Sequence, residues 1–140
     1  MRIALVSCVK SKQPVPAPAR DLYTSALFRG LRRYAERNAD RWYILSAEHG
    51  LVDPSEVLAP YEKTLNRMRR ADRDHWARKV QAQLAEALPP SADVIVLAGE
   101  RYREGLLPFL RARGHSVEVP LQGMPFGKQL QFLSASGFLE

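Results

Sequence analysis

Cysteine is almost missing from this chain: Cys8 is the only one in 140 residues. No internal disulfide can form, so stability must come from the core, and a reducing cytoplasm is the expected compartment. A Cys/His zinc cage is equally out of reach, because Cys8, His49, His75 and His115 have no ligand-like spacing. No pair of carboxylates stands at metal-ligand spacing either, so a site without metal or cofactor is the expectation. Long apolar runs are absent, so no membrane-crossing helix is expected. The first residues also lack the basic segment, apolar core and cleavage site of a signal peptide. What is present suits one globular α/β domain over residues 1–140: 46% hydrophobic residues give a chain of this length a core that needs no staples. The formal net charge of +6 favours phosphate-bearing partners through nonspecific attraction. Arginine-rich composition also accompanies heat tolerance and GC-rich genomes.

The chain is best anchored on its first strand. Arg2-Ile3-Ala4-Leu5-Val6 is a short, branched apolar run, and it ends in Ser7-Cys8-Val9-Lys10-Ser11-Lys12. Groups that act on ligands in α/β sheets lie just past the carboxyl ends of strands. Ser7 and Ser11 leave room there, and Lys10 and Lys12 offer charge for a phosphate or carboxylate. A capped strand end followed by solvated lysines is the plainer reading. Cys8 is either a nucleophile favoured by its lysine neighbours or an inert packed thiol.

Gln13 to Arg20, with three prolines, predicts an extended loop. Leu27, Phe28, Leu31, Tyr34 and Ala35 recur at helical spacing, with Thr24 or Ser25 as amino cap and Asn38 at the carboxyl end. Arg29, Arg32, Arg33 and Arg37 cover the other face, either solvated or set against a phosphate backbone. Trp42 to Leu45 predicts a second strand, ending in Ser46-Ala47-Glu48-His49-Gly50-Leu51. Gly50 allows a sharp turn that presents Glu48 and His49 to one cleft, where a carboxylate beside an imidazole can activate water or protonate a leaving group. A polar surface turn is the alternative.

Ser55 to Asn66 reads as a long irregular connection, in which Tyr61 either stacks on a planar base or pins the loop to the core. Trp76, Val80, Leu84 and Leu88 mark a helix from about Ala71, capped by Asp72 and stopped by Pro89-Pro90. His75 falls on its surface and is assigned no chemistry. Asp93 to Leu97 is the strongest strand and runs into Ala98-Gly99-Glu100-Arg101-Tyr102. Gly99 there permits close approach of a ligand, and the next helix offers amides to an anion. That helix spans Tyr102 to Arg113 with a kink at Pro108 and an end at Gly114. Ser116 to Val119 is a last strand, and Phe126 to Leu133 a terminal helix resting Leu130 and Leu133 on the sheet. The alternation predicts a three-layer α/β sandwich around a mainly parallel sheet of about four strands.

Three strand ends thus carry polar groups. Together with Asp21-Leu22-Tyr23-Thr24-Ser25 and Ala59-Pro60-Tyr61-Glu62-Lys63-Thr64-Leu65, they resemble the signature of a bacterial and phage family catalogued mainly as a domain of unknown function. That family is similar in turn to the uracil-DNA-glycosylase-like superfamily and to the base-modifying domain of archaeosine synthase. The chain lacks the water-activating and histidine-bearing motifs of ordinary uracil-DNA glycosylases, so removal of plain uracil is not implied. The resemblance implies a pocket for a nucleobase or nucleotide, in nucleic acid or free.

Cleavage of an N-glycosidic bond needs a carboxylate near the sugar and donors near the base. Glu48 is the first candidate carboxylate and Glu100 the second, with His49 donating to the base or orienting water. Ser7, Lys10, Ser11, Lys12, Ser46, Gly99 and Arg101 are the candidate substrate-binding groups, and Tyr23, Tyr61 and Tyr102 the candidate stacking rings. An N-glycosidic hydrolase is the leading expectation. A noncatalytic sensor of a nucleotide or modified base is the alternative, and a protein-interaction domain using Arg32 and Arg33 is the third.

Overall fold

A computed structural model describes residues 1–7 and 12–138 of the chain. Cys8, Lys10 and Ser11 therefore lie outside the described residues. The first strand, β1 (Arg2–Ser7), is followed by a two-residue strand β2 (Ala17–Pro18), a single turn α1 (Ala19–Leu22) and the helix α2 (Ala26–Asn38). Strands β3 (Arg41–Ser46), β4 (Gly50–Val52) and β5 (Val57–Leu58) come next, then a 3-10 turn at Leu65–Arg67 and the long helix α3 (Arg70–Ala87). The chain closes with β6 (Asp93–Leu97), α4 (Glu100–Arg103), α5 (Leu107–Ala112), β7 (Ser116–Glu118) and α6 (Phe126–Ala135).

The main sheet has five strands in the order β4-β3-β1-β6-β7, one more than the expected four. The extra strand is β4, which pairs antiparallel with β3 through Ile44–Val52, Leu45–Leu51 and Ser46–Gly50, while the other pairings are parallel. Leu51 and Val52 stand directly before Asp53-Pro54, so the sequence reads there as a turn. The actual device is a hairpin with a three-residue tip, Ala47-Glu48-His49, closed by Gly50 at φ +77°.

Alternating residues of a strand face opposite sides of its sheet. Ile3, Ala4, Leu5 and Val6 are all fully buried, and Val94 to Leu97 nearly so, which requires cover on both faces. One cover is α2 with α6, joined through Tyr34 and its neighbours Phe132 and Phe138. The terminal helix thus packs on α2, while the sequence suggested the sheet. The other cover is α3 with the α4–α5 segment, where Trp76 meets Tyr102 edge-on and Gln81 donates to the Gly105 carbonyl. Helix α3 buries Trp76, Ala77, Val80 and Leu84.

Several local expectations need correction. The anticipated single helix from Tyr102 to Arg113 is two helices, α4 and α5, separated by Glu104 to Leu106. Pro108 kinks nothing, because it sits in the first turn of α5, where its missing amide has no intrahelical role. The proline-rich stretch to Arg20 contains β2 and the start of α1, and β2 pairs with β5 to strap two predicted loops together. Ser25 is the amino cap of α2, accepting from the Phe28 amide. Asp72 lies in the first turn of α3 but Arg69 holds the cap position, and Asn38 donates to Tyr34 within its own helix. The arginine face of α2 is partly structural: Arg32 donates to the Arg20 carbonyl and Asp21, Arg33 to the Phe138 carbonyl, and Arg37 lies over the Phe138 ring.

Candidate functional site at the carboxyl edge of the sheet

Register alone brings three candidate segments to one rim. Ser7 lies opposite Leu45 on one side, and Val6 lies opposite Leu97 on the other, so Ser7 and Ser46, which end β1 and β3, and Ala98, the first residue after β6, lie within one residue of each other along three adjacent parallel strands. Neighbouring strands run about 4.8 Å apart. The ends of β3 and β6, with β1 between them, are therefore about 10 Å apart.

On the β3 side a row of hydroxyls forms. Tyr61 shares one hydrogen bond with Tyr23 at 2.6 Å and another with Ser46 at 2.7 Å, and Ser46 Oγ also accepts from the His49 amide at 3.1 Å. Three hydroxyls carry three protons and use two in the bonds between them, so one proton is directed to a partner outside the row, whichever atoms donate. The His49 ring meets Tyr61 edge-on at 5.5 Å. The Lys12 ammonium stands 4.5 Å from the Tyr61 ring centre and 5.6 Å from that of Tyr23, where the electron-rich faces attract it. Helix α3 fixes this group from behind: Trp76 donates to the Ser46 carbonyl at 2.9 Å, and Gln83 accepts from the Leu51 amide at 2.8 Å.

On the β6 side is a recess of about 160 Å³. Its apolar walls include Leu27 and Leu31 of α2, Val96 and Leu97 of β6, and Val119 and Leu121 beyond β7, with Tyr102 also lining it. Among the described residues, its polar side chains include Ser7, Asn66, Arg103 and Gln129. Arg103 is oriented by donation to the Ala98 carbonyl, and Gln129 by donation to the Met124 carbonyl, which leaves its amide oxygen as an acceptor. Gly99 lies exposed at the mouth, and a Cβ built there meets no atom within 4 Å. A cavity near 150 Å³ takes one benzene-sized ring.

Of the residues singled out from sequence, Ser7, Gly99 and Tyr102 meet at the recess, while Lys12, Tyr23, Ser46, His49 and Tyr61 meet in the hydroxyl group. Tyr23 is only 2% exposed, with its ring against Phe28, so it contributes its hydroxyl to the site. Tyr102 is buried edge-on to Trp76. The carboxylates are not drawn into either group: Glu48 is exposed at the hairpin tip, 3.8 Å from Lys63, and Glu100 is exposed at the start of α4. Arg101 is exposed and 3.9 Å from Glu104. Asn66, Arg103 and Gln129 were missed from the sequence. Asn66 follows Thr64, whose hydroxyl accepts its amide, a local cap signal that marks an ordered loop; Gln129 has no signal at all. Among the described residues no group of three or more His, Cys, Asp or Glu side chains could hold a metal ion, and no helix is long and apolar enough to cross a membrane.

The fold and this edge define a mixed α/β protein with a mostly parallel five-stranded sheet and its clustered polar groups at the carboxyl ends of the central strands. The chain belongs to a family of unknown function, DUF6884, whose model matches residues 3–135. It is also similar to the uncharacterized protein YfjM of Bacillus subtilis (strain 168), with 26% identity over 151 residues that cover 95% of this chain and 93% of that protein. No solved structure matches the chain.

Proposed function

We propose that the carboxyl edge of the sheet binds a nucleobase and that the chain hydrolyses its N-glycosidic bond, on a fold of the uracil-DNA-glycosylase-like kind. The observation that carries this reading is the ring-sized recess, walled by apolar side chains and edged by an amide oxygen, an amide and a guanidinium, beside a connected row of hydroxyls. Such polar groups match the edge of a planar base, and its volume favours a single ring over a fused pair. In the reaction, water forms a bond to the anomeric carbon as the carbon–nitrogen bond to the base breaks. The departing base nitrogen gains a proton while the attacking water loses one. Glu48 serves the sugar side once its ion pair with Lys63 opens, and His49, with its backbone held by Ser46, orients the attacking water on that same side, while the departing base takes its proton from solvent. Lys12 supplies positive charge to a phosphate or to the departing base.

The test is Glu48→Gln, assayed by base release from oligonucleotides carrying modified bases. The expected result is retained binding with turnover lowered by about 10²- to 10⁴-fold, the usual size of a lost acid or base. Unchanged turnover removes Glu48 from the mechanism. A second reading, a noncatalytic sensor of the same base, is favoured by the exposure of Glu48 and Glu100 and by the Glu48–Lys63 pair. Under that reading wild-type protein binds the base and releases none.

A further inference from the structure

The segment entering α3 carries Arg67, Arg69 and Arg70, all exposed. Some surface arginines are matched to carboxylates, Arg73 and Arg101 both reaching Glu104 and Arg32 reaching Asp21 and Glu36, while others such as Arg29, Arg78 and Arg111 are exposed with no ion pair among the described residues. Among the described residues, none places a carboxylate within ion-pair distance of Arg67, Arg69 or Arg70. Their place in the fold matters more than their number. Arg67 directly follows Asn66, which lines the recess, and the turn that holds it packs against α4, which supplies Arg103 to the same recess. The positive run therefore begins at the mouth of a cavity that takes one ring.

From this juxtaposition we infer that the ligand is a single nucleic-acid strand: one base enters the recess, and Arg67, Arg69 and Arg70 hold the phosphates that flank it. The inference rests on the base-binding reading above and adds the substrate class. A nucleoside monophosphate brings one phosphate and leaves most of this positive run unused. A continuous strand spaces its charges along the arginines, and counterion release then drives association. A paired duplex cannot present a base to a ring-sized recess unless that base leaves the stack, so a single strand, or one locally opened, fits the geometry.

The test measures binding of fluorescein-labelled single-stranded DNA and RNA of about 12 nucleotides, a length within the range of single-strand binding sites. Salt is raised from about 50 to 200 mM, and a mixture of nucleoside monophosphates is measured in parallel. The proteins are the wild type, the triple variant Arg67→Ala/Arg69→Ala/Arg70→Ala, and Gly99→Leu. The arginines are exposed and carry no ion pair, so the triple variant is expected to fold, as checked by circular dichroism. Wild type should bind the strand, and the triple variant should lose strand affinity far more than mononucleotide affinity. Its slope of log affinity against log salt should shrink by about 2, since each phosphate contact contributes about 0.7. No strand binding by wild type, or an unchanged slope in the triple variant, overturns the inference. Failure of the base reading looks different: Gly99→Leu sets a bulky side chain at the exposed mouth of the recess, and strand or mononucleotide binding that survives it unchanged overturns entry of a base there.

Discussion

Tyr61 is the residue on which most of the polar edge converges. Its hydroxyl is shared between Tyr23 and Ser46, and its ring faces Lys12 and His49. Tyr61→Phe keeps the ring and the ammonium contact but leaves two hydroxyls, one of them fully buried, with a partner removed. A loss of about 1–2 kcal/mol in urea unfolding is expected, with the Lys12–ring contact intact. A loss near zero would mean the row contributes nothing to the fold. Tyr61 also illustrates what a sequence can show: an aromatic in a long connection was visible as either platform or pin, but only the fold reveals that its hydroxyl meets Ser46. Gln129 and Asn66 were invisible because nothing local marks a polar side chain that a distant helix and a loop bring to the same recess. Asp53 yields a pH prediction. The hydroxyl and amide of Ser55 donate to its carboxylate and hold it below the ordinary carboxylate range, with burial opposing them and Arg41 and Arg20 assisting. A group lowered in the folded state stabilises above its unfolded value of about 4 and loses that contribution as pH falls through the folded value. Thermal melts below pH 4 should fall less steeply for Asp53→Asn than for wild type, by a small margin because the side chain is mostly exposed.

At the level of elements, α3 is the support for both halves of the site. It anchors the β3–β4 hairpin through Trp76 and Gln83, and it lies so close to the α4–α5 connection that a Cβ on Gly105 would stand 2.7 Å from the Ala77 Cβ. Neither atom belongs to a flexible end, so Gly105→Ala must push the two segments apart. A cost of about 1–3 kcal/mol is expected in chemical denaturation, with an accompanying change in the near-ultraviolet signal of the adjacent Trp76–Tyr102 pair. Full wild-type stability would show that the segments slide freely. Long periodic elements were legible from the start: α2, α3, β1, β3 and β6 all announce themselves by apolar spacing. The short ones were not. β4 is three residues before a proline, β2 and β5 are two residues each, and the break between α4 and α5 falls at Gly105, where the apolar pattern of Leu106, Leu107 and Leu110 continues across it. These elements owe their existence to partners distant in sequence, which local propensity does not record.

The whole molecule turns an ordering of strands into a site. Placing β1 between β3 and β6 aligns their carboxyl ends, and the covers on both faces leave that edge as the place where polar groups can gather. The general rule for α/β sheets marks this edge in the sequence as a candidate ligand site. Its division into a hydroxyl group and a separate ring-sized recess depends on Asn66, Tyr102 and α2 coming together, which no strand pattern contains. The central claim is that a nucleobase occupies this recess, and amide-resolved NMR titration with the common and modified nucleosides tests it directly. The account predicts saturable shifts of the Ser7, Asn66, Gly99 and Tyr102 amides for at least one base, and their loss in Gly99→Leu. Shifts confined to other surfaces, or none with any base at millimolar concentration, would contradict it.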